Sequence, residues 1–258
     1  MTPPRQEWAL DTRRLGRRVL VYDRLDSTNN LAAALAEDPA NDGVVVLADE
    51  QTAGRGQYGR TWLAPGGASV LMSVLLFPPP PLRRPAILTA WAAVAVCNVV
   101  RRTTGVQAKI KWPNDVLLRG RKVCGILIEQ RRGTVAGIGL NVRQTAEELV
   151  RAGLTEATSL AQHAGSLPET AEVARLLVRQ LDEDYDLLCG GDLGTLEACW
   201  KWHLGLLGRQ VRARCLDGTE KGRLVELGFD GAWLRRPDGA TVVLAPEAVL
   251  NMDEVNGE

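Results

Sequence analysis

Apolar residues fall in short continuous runs, the pattern of buried strands, and shift to helical spacing in a few places. VLVYDRL at 19–25 predicts a first strand. Ser27 or Thr28 then caps a helix with Leu31, Ala34 and Leu35 on one face. GVVVLADE at 43–50 and SVLMSVLLF at 69–77 predict two more strands around the loop QTAGRGQYGRTWLAPGG. Four prolines, Pro78 to Pro81, break the chain before a helix from about Arg84 to Arg102, with Ile87, Leu88, Trp91, Val94, Ala95 and Val99 at core spacing and an end near Gly105. QAKIKWPNDVLL, KVCGILIEQ and TVAGIGLNV read as three further strands joined by turns at RGR and RRG, and residues 169–188 and 193–203 read as helices. After Gly205 three Asp-Gly pairs, at Asp217, Asp230 and Asp238, punctuate VRARCL, GRLVEL, AWLRR and TVVLA, the texture of a small all-β barrel. The expectation is an α+β domain at 1–205 and a β-barrel domain at 206–258.

A chain of 258 residues, 45% of them hydrophobic, buries enough for one sizeable domain and a small one without disulfides. Its five cysteines are odd in number, with at least nine residues between any two, which gives neither a CxxC metal site nor a disulfide framework. The N-terminus has no signal-peptide run, and the apolar stretches read as too short to span a bilayer, so the expected location is the cytoplasm. Net charge is zero, but its distribution is uneven. Between Glu50 and Asp115 there is no acid, while Arg55, Arg60, Arg83, Arg84, Arg101, Arg102, Lys109 and Lys111 supply eight positive charges, a stretch suited to an anionic partner.

GRGQYGRTW satisfies G-x-G-x-x-G through Gly54, Gly56 and Gly59, and a P-loop pattern with Arg60 where lysine belongs. Both patterns need a helix N-terminus aimed at phosphate, and the following Leu63-Ala64-Pro65-Gly66-Gly67 leads into a strand instead. What remains is a flexible backbone with two guanidinium groups able to fold over an anion. KWPND sets Lys111, Asn114 and Asp115 around a rigid Trp112-Pro113 turn, and Lys122 heads an apolar strand. In GIGLNV, Gly137 and Gly139 permit close approach of a ligand to a strand, with the Asn141 amide beyond them.

Together DSTNN (26–30), QTAGRGQYGRTW (51–62), KWPND (111–115), KVCGIL (122–127) and GIGLNV (137–142) resemble the biotin protein ligase family over roughly residues 19–250. The resemblance implies a class II synthetase-like mixed sheet with flanking helices and an SH3-like C-terminal barrel. By position it implies that Ser27, Thr28, Asn29 and Gln51 hold the biotin head group, and that Arg55 and Gly56 sit over its carboxylate and the α-phosphate. Gly54, Gln57, Gly125, Gly137 and Gly139 line the biotin side in this reading. Lys122 contacts carboxylate and phosphate, Arg60, Trp62, Asn114 and Asn141 belong to the ATP side, Lys111 adds charge, and Asp115 supports Mg2+. One departure is Gln57, which stands where the family's loop commonly has a second arginine.

The implied chemistry is activation of biotin by ATP and transfer to a lysine of a biotin carboxyl carrier protein. It rests on positioning and cationic stabilisation by Arg55, Lys122 and Lys111 rather than on a protein nucleophile. His163 and His203 lie outside every motif, and Asp115 is a candidate for assisting deprotonation of the acceptor lysine. A lipoate or octanoate ligase of related fold is the rival within enzymes, and Gln51 with the GRGQYGRTW loop argues against it. A plain nucleotide-binding module would need the helix denied above. For a DNA-binding repressor, about eighteen residues before the first strand are too few for a helix-turn-helix, and net charge is zero, so no specific DNA binding and no membrane association are expected. A homodimer is compatible with the sequence but not fixed by it.

Overall fold

The computed structural model describes residues 3–64 and 66–255; Pro65, part of the argument against a helix after the loop, lies outside the described residues. Strands β1 (Gln6–Trp8), β2 (Val19–Leu25), β3 (Val45–Gln51), β4 (Ser69–Leu76), β5 (Ala108–Lys111), β6 (Asp115–Leu118), β7 (Arg121–Gln130) and β8 (Thr134–Asn141) form one mixed sheet in the order β1-β2-β3-β4-β8-β7-β6-β5. Its one parallel pair, β2 with β3, is spanned by helix α1 (Thr28–Leu35), so the ends of both strands and the start of α1 meet on one side.

Two expectations about strands in the first sheet need correction. The first strand is not 19–25: β1 precedes it, a three-residue edge strand too short to show a period. QAKIKWPNDVLL is not one strand but a hairpin, with Lys111 opposite Asp115 across the cis Trp112-Pro113 turn. Pro113 offers no N–H to a ladder, so the run cannot continue through it. The next turn has positive φ at both Arg119 and Gly120, as a two-residue hairpin requires.

Helix α2 (Pro85–Thr104) also departs from the reading that no apolar stretch is long enough to span a bilayer, since its 20 residues meet that length. It is a core helix. Ile87, Leu88, Trp91, Val96 and Val100 are buried under β5–β8 and against α4 (Thr170–Cys189) and α5 (Leu193–Leu204), and a helix covered on every side is apolar all round. The short α3 (Ala146–Arg151) opens with a Thr145–Glu148 capping box. On α4, the buried Asp182 carboxylate accepts the backbone N–H groups of Arg13, Arg14 and Leu15 at 2.7–2.8 Å, which fixes the entry to β2.

The second sheet contains β9 (Gln210–Cys215), β10 (Gly218–Gly228), β11 (Gly231–Arg235), β12 (Thr241–Leu244) and β13 (Val249–Glu254), all antiparallel in the order β12-β11-β10-β9-β13. Its hydrogen bonding stays open between β12 and β13 rather than closing as a barrel. An aromatic column joins it to the first sheet: Trp112 lies 5.4 Å from Trp200, which stacks 5.1 Å from Phe229. Trp112 Nε1 donates to Val249 O at 2.8 Å. Because Trp200 is the middle of that column and 3% exposed, Trp200→Ala is expected to lower the unfolding free energy by about 3–5 kcal/mol in urea titration.

Candidate active site

One cleft collects most of the candidate residues. Ser27, Thr28, Asn29, Gln51, Arg55, Gly56, Gln57, Arg60, Trp62, Asn114, Asp115, Lys122, Gly125, Gly137 and Gly139 all line it, with a volume of about 120 Å³. Gly54 lies just beneath, where a Cβ would meet Trp62 O at 2.6 Å. Lys111 and Asn141 are not in its lining. Lys111 is exposed at the end of β5, and the buried Asn141 amide is committed to Thr158 O at 3.0 Å and to Gln144 at 3.3 Å.

The floor is made by glycine. Gly125 on β7 and Gly139 on β8 are register partners, and Trp62 lies across both, with ring atoms 2.8 Å and 2.4 Å from where their Cβ atoms would stand. At Gly137 a Cβ would meet Asn29 Oδ1 at 2.3 Å. Trp62 Nε1 is buried and has no hydrogen-bond partner among the described residues, so the ring occupies the cleft without using its polar edge. With the ring across both glycines, the cleft is smaller than the roughly 300 Å³ from which ligand sites ordinarily run.

A register shift brings the lysine in. Between β6 and β7 the pairing runs Asp115↔Gly125 and Val116↔Cys124, then Leu117↔Lys122, which leaves Val123 as a bulge. The bulge turns Lys122 onto the face of Gly125, where strict alternation would not put it. Lys122 Nζ sits 2.6 Å from Asp115 Oδ1 and 5.5 Å from the Trp62 ring centre.

The polar end is a chain of hydrogen bonds. Gln51 Oε1 accepts from Thr28 N at 2.8 Å and from Thr28 Oγ1 at 3.0 Å, and Ser73 Oγ donates to Asn29 Oδ1 at 2.5 Å. Asn29 Nδ2 donates to Glu129 Oε2 at 2.6 Å, which fixes the amide's orientation. Ser73 Oγ is also within hydrogen-bonding distance of Thr28 Oγ1, at 2.7 Å, so the two hydroxyls share one network in which the Thr28 oxygen keeps a lone pair able to accept from an N–H donor. Ser73 and Glu129 were missed by the sequence reading. Ser73 sits in an apolar strand and gives no motif, and Glu129 ends the run that Lys122 begins.

Glu129 also receives Arg55 Nη2 at 2.9 Å, while Arg55 Nη1 donates to Asn30 at 2.5 Å. The loop carrying Arg55 is a miniature hairpin, Arg55 bridging Thr61 and Gly56 N donating to Arg60 O at 2.7 Å, with Tyr58 in the left-handed region at its tip. Magnesium would find one carboxylate, Asp115, and no cluster of three ligating groups among the described residues. That donor set fits an ion arriving on a triphosphate, since Mg2+ is commonly held by one or two carboxylates plus substrate oxygens.

The model of the biotin/lipoate A/B protein ligase family matches residues 21–144. Bifunctional ligase/repressor BirA of Bacillus subtilis is 35% identical over 233 residues, 88% of this chain and 72% of that protein. Biotin--[acetyl-CoA-carboxylase] ligase of Paracoccus denitrificans is 33% identical over 87% of this chain and 97% of its own length. This chain belongs to the biotin protein ligase family. The biotin protein ligase of Aquifex aeolicus, solved in complex with biotin and ATP, superposes with a TM-score of 0.75 at 26% identity, covering 92% of this chain and 99% of that one. The two chains therefore share one fold over most of their length.

The Glu129 carboxyl shows how the ligase's polar end responds to pH. Burial alone would raise it, but the Asn29 hydrogen bond and Arg55 outweigh burial and hold it below the ordinary 4.5. A carboxyl depressed in the folded state contributes stability above its unfolded pKa and loses it as pH falls through the folded one. The stability difference between the parent and Glu129→Gln is therefore expected to be largest near neutral pH and to shrink below about pH 4.5, as read by denaturant titration across pH.

Proposed function

We propose that this chain condenses biotin with ATP to biotinyl-5'-AMP and transfers the biotinyl group to a lysine of a biotin carboxyl carrier protein. The observation that carries the reading is one cleft holding an N–H-accepting polar end, a glycine floor and a cationic end at Arg55 and Lys122. Thr28 and Asn29, both in the lining, would meet the ureido group of biotin, with Gln51 and the buried Ser73 holding them in place. With Trp62 swung off Gly125 and Gly139, the bicyclic ring and its chain would lie along the glycine floor, and the ring edge with the unpartnered Nε1 becomes free to meet the second substrate.

The first step brings the biotin carboxylate to the α-phosphorus of ATP. One O–P bond forms, the bond to the leaving pyrophosphate breaks, and charge grows on the phosphate oxygens. Lys122 and Arg55 would offset that charge, exchanging Asp115 and Glu129 for substrate oxygens. These pairs are about a third exposed, so the exchange costs little. Mg2+ bound with the nucleotide would screen the triphosphate. In the second step an acceptor amine attacks the anhydride carbonyl and AMP leaves, and Asp115, freed from Lys122, is the carboxylate placed to take the proton.

The division into domains at 1–205 and 206–258 belongs to the same proposal and is supported by the left-handed Gly205 that ends α5 just before the second sheet. Repression, the other activity in the Bacillus relative's name, is not part of it. Incubation with ATP, Mg2+ and labelled biotin, with lipoate and octanoate as competing acids, tests the reading. Formation of the biotin adenylate alone is expected, and an adenylate of a linear acid would replace it.

Lys122→Ala is expected to retain the fold and lose about 100-fold or more in biotin-dependent pyrophosphate exchange, since a charge contact made in the transition state is worth about 3 kcal/mol. Near-normal exchange would remove Lys122 from the chemistry. Gln57→Arg, which adds a charge to the rim of the cleft, is expected to slow escape of preformed labelled adenylate during a chase with unlabelled substrates, by about tenfold. Release as fast as in the parent would show that this position does not govern retention.

A further inference from the structure

The outward face of the second sheet carries five cations that the reaction above does not use: Arg212 and Arg214 on β9, Lys221 and Arg223 on β10, and Arg235 on β11. They alternate with buried Val211, Ala213, Gly222, Leu224 and Leu234, so the strand period sets all five toward solvent. Within this sheet, among the described residues, the ion pairs are Arg209–Glu254 and Arg236–Glu220, and none of the five takes part. The register opposes like charges directly: Lys221 faces Arg212, and Arg223 faces Arg235. Such pairs destabilise a sheet.

Among the described residues, two carboxylates share this face, both at its margins. Asp253 stands opposite Arg212 but is held by the Asn251 amide, and Glu226 stands opposite Trp233. Trp233 points outward on the same face as Arg235 and is half-buried beside the exposed Val243 of β12. Positive charges about 7 Å apart along each strand and about 5 Å apart across strands form a grid suited to a chain of anions. Acidic side chains of a protein would meet the charge alone. The tryptophan at the edge of the grid offers what a stacked base uses as well.

We propose that this face binds single-stranded nucleic acid without sequence preference, its cations tracking the phosphates and Trp233 receiving a base. None of these residues lines the cleft, so the proposal stands independently of the ligase chemistry. The probe is a labelled oligothymidylate of about 20 nucleotides, longer than the roughly 4–16 that comparable sites cover. Wild type is expected to bind it with a log–log dependence on salt, and R212Q/K221Q/R223Q to lose about 2 from that slope and about 100-fold in affinity at 0.1 M salt. W233L is expected to weaken binding about tenfold with the slope unchanged. The triple variant changes exposed positions and W233L a half-buried one, and circular dichroism with unaltered adenylate formation establishes that both are folded.

The proposal is overturned if wild type shows no salt-dependent binding at 0.1 M, or if the triple variant keeps the parent's affinity and slope. It is overturned equally if duplex binds as well as single strand and W233L is neutral. A triple variant that binds oligothymidylate normally but raises KM for the carrier protein would assign the face to an acidic protein instead.

Discussion

The cleft depends on three positions having no side chain. Gly125, Gly137 and Gly139 occupy the middle of two paired strands, where a Cβ at any of them would stand within 2.8 Å of Trp62 or Asn29. Strand glycines ordinarily weaken a sheet through lost packing and added chain entropy. Here they hollow its surface by the depth of a side chain, and the hollow admits an indole at one end and the Asn29 amide at the other. The polar network from Gln51 to Glu129 can form only because Asn29 sits that close to β8.

The charges at the two ends share a logic. Arg55 and Lys122 are each held by a protein carboxylate, Glu129 and Asp115, at 2.9 Å and 2.6 Å. Pairs so partly exposed contribute little to stability, so their value lies in keeping cations aimed at the cleft while leaving them available to a stronger anionic partner. Glu129 is also tied to Asn29, so the group that orients the polar end restrains the loop arginine as well. Movement of one is felt by the other.

The second sheet is fastened next to this machinery rather than hung from a linker. Trp112 belongs to the turn that sets Asn114 and Asp115, and the same side chain packs at a tilt against Trp200 and donates to Val249 of β13. Arg84, at the start of α2, reaches Asp230 and Glu247 across the junction. A disturbance in the small sheet is thereby transmitted to the KWPND turn by packed aromatic surface, which resists deformation more than a screened ion pair does.

The sequence alone determined the long strands, the core helices, the α+β character and the change of texture after Gly205, because burial imposes periods that survive in one dimension. The clustering of Ser27 to Asn29, Gln51, the glycine loop, Asn114, Asp115 and Lys122 was legible too, carried by five motifs rather than by periodicity. Local rules failed where a few residues decided matters: β1 is too short to show a period, and Pro113 splits an apparent strand into a hairpin. Only the tertiary structure decided that Lys111 and Asn141 fall outside the cleft while Ser73 and Glu129 hold its lining residues Thr28, Asn29 and Arg55 from behind. Membership depends on strand register and on the Val123 bulge, and a shift of one residue there moves every side chain to the other face.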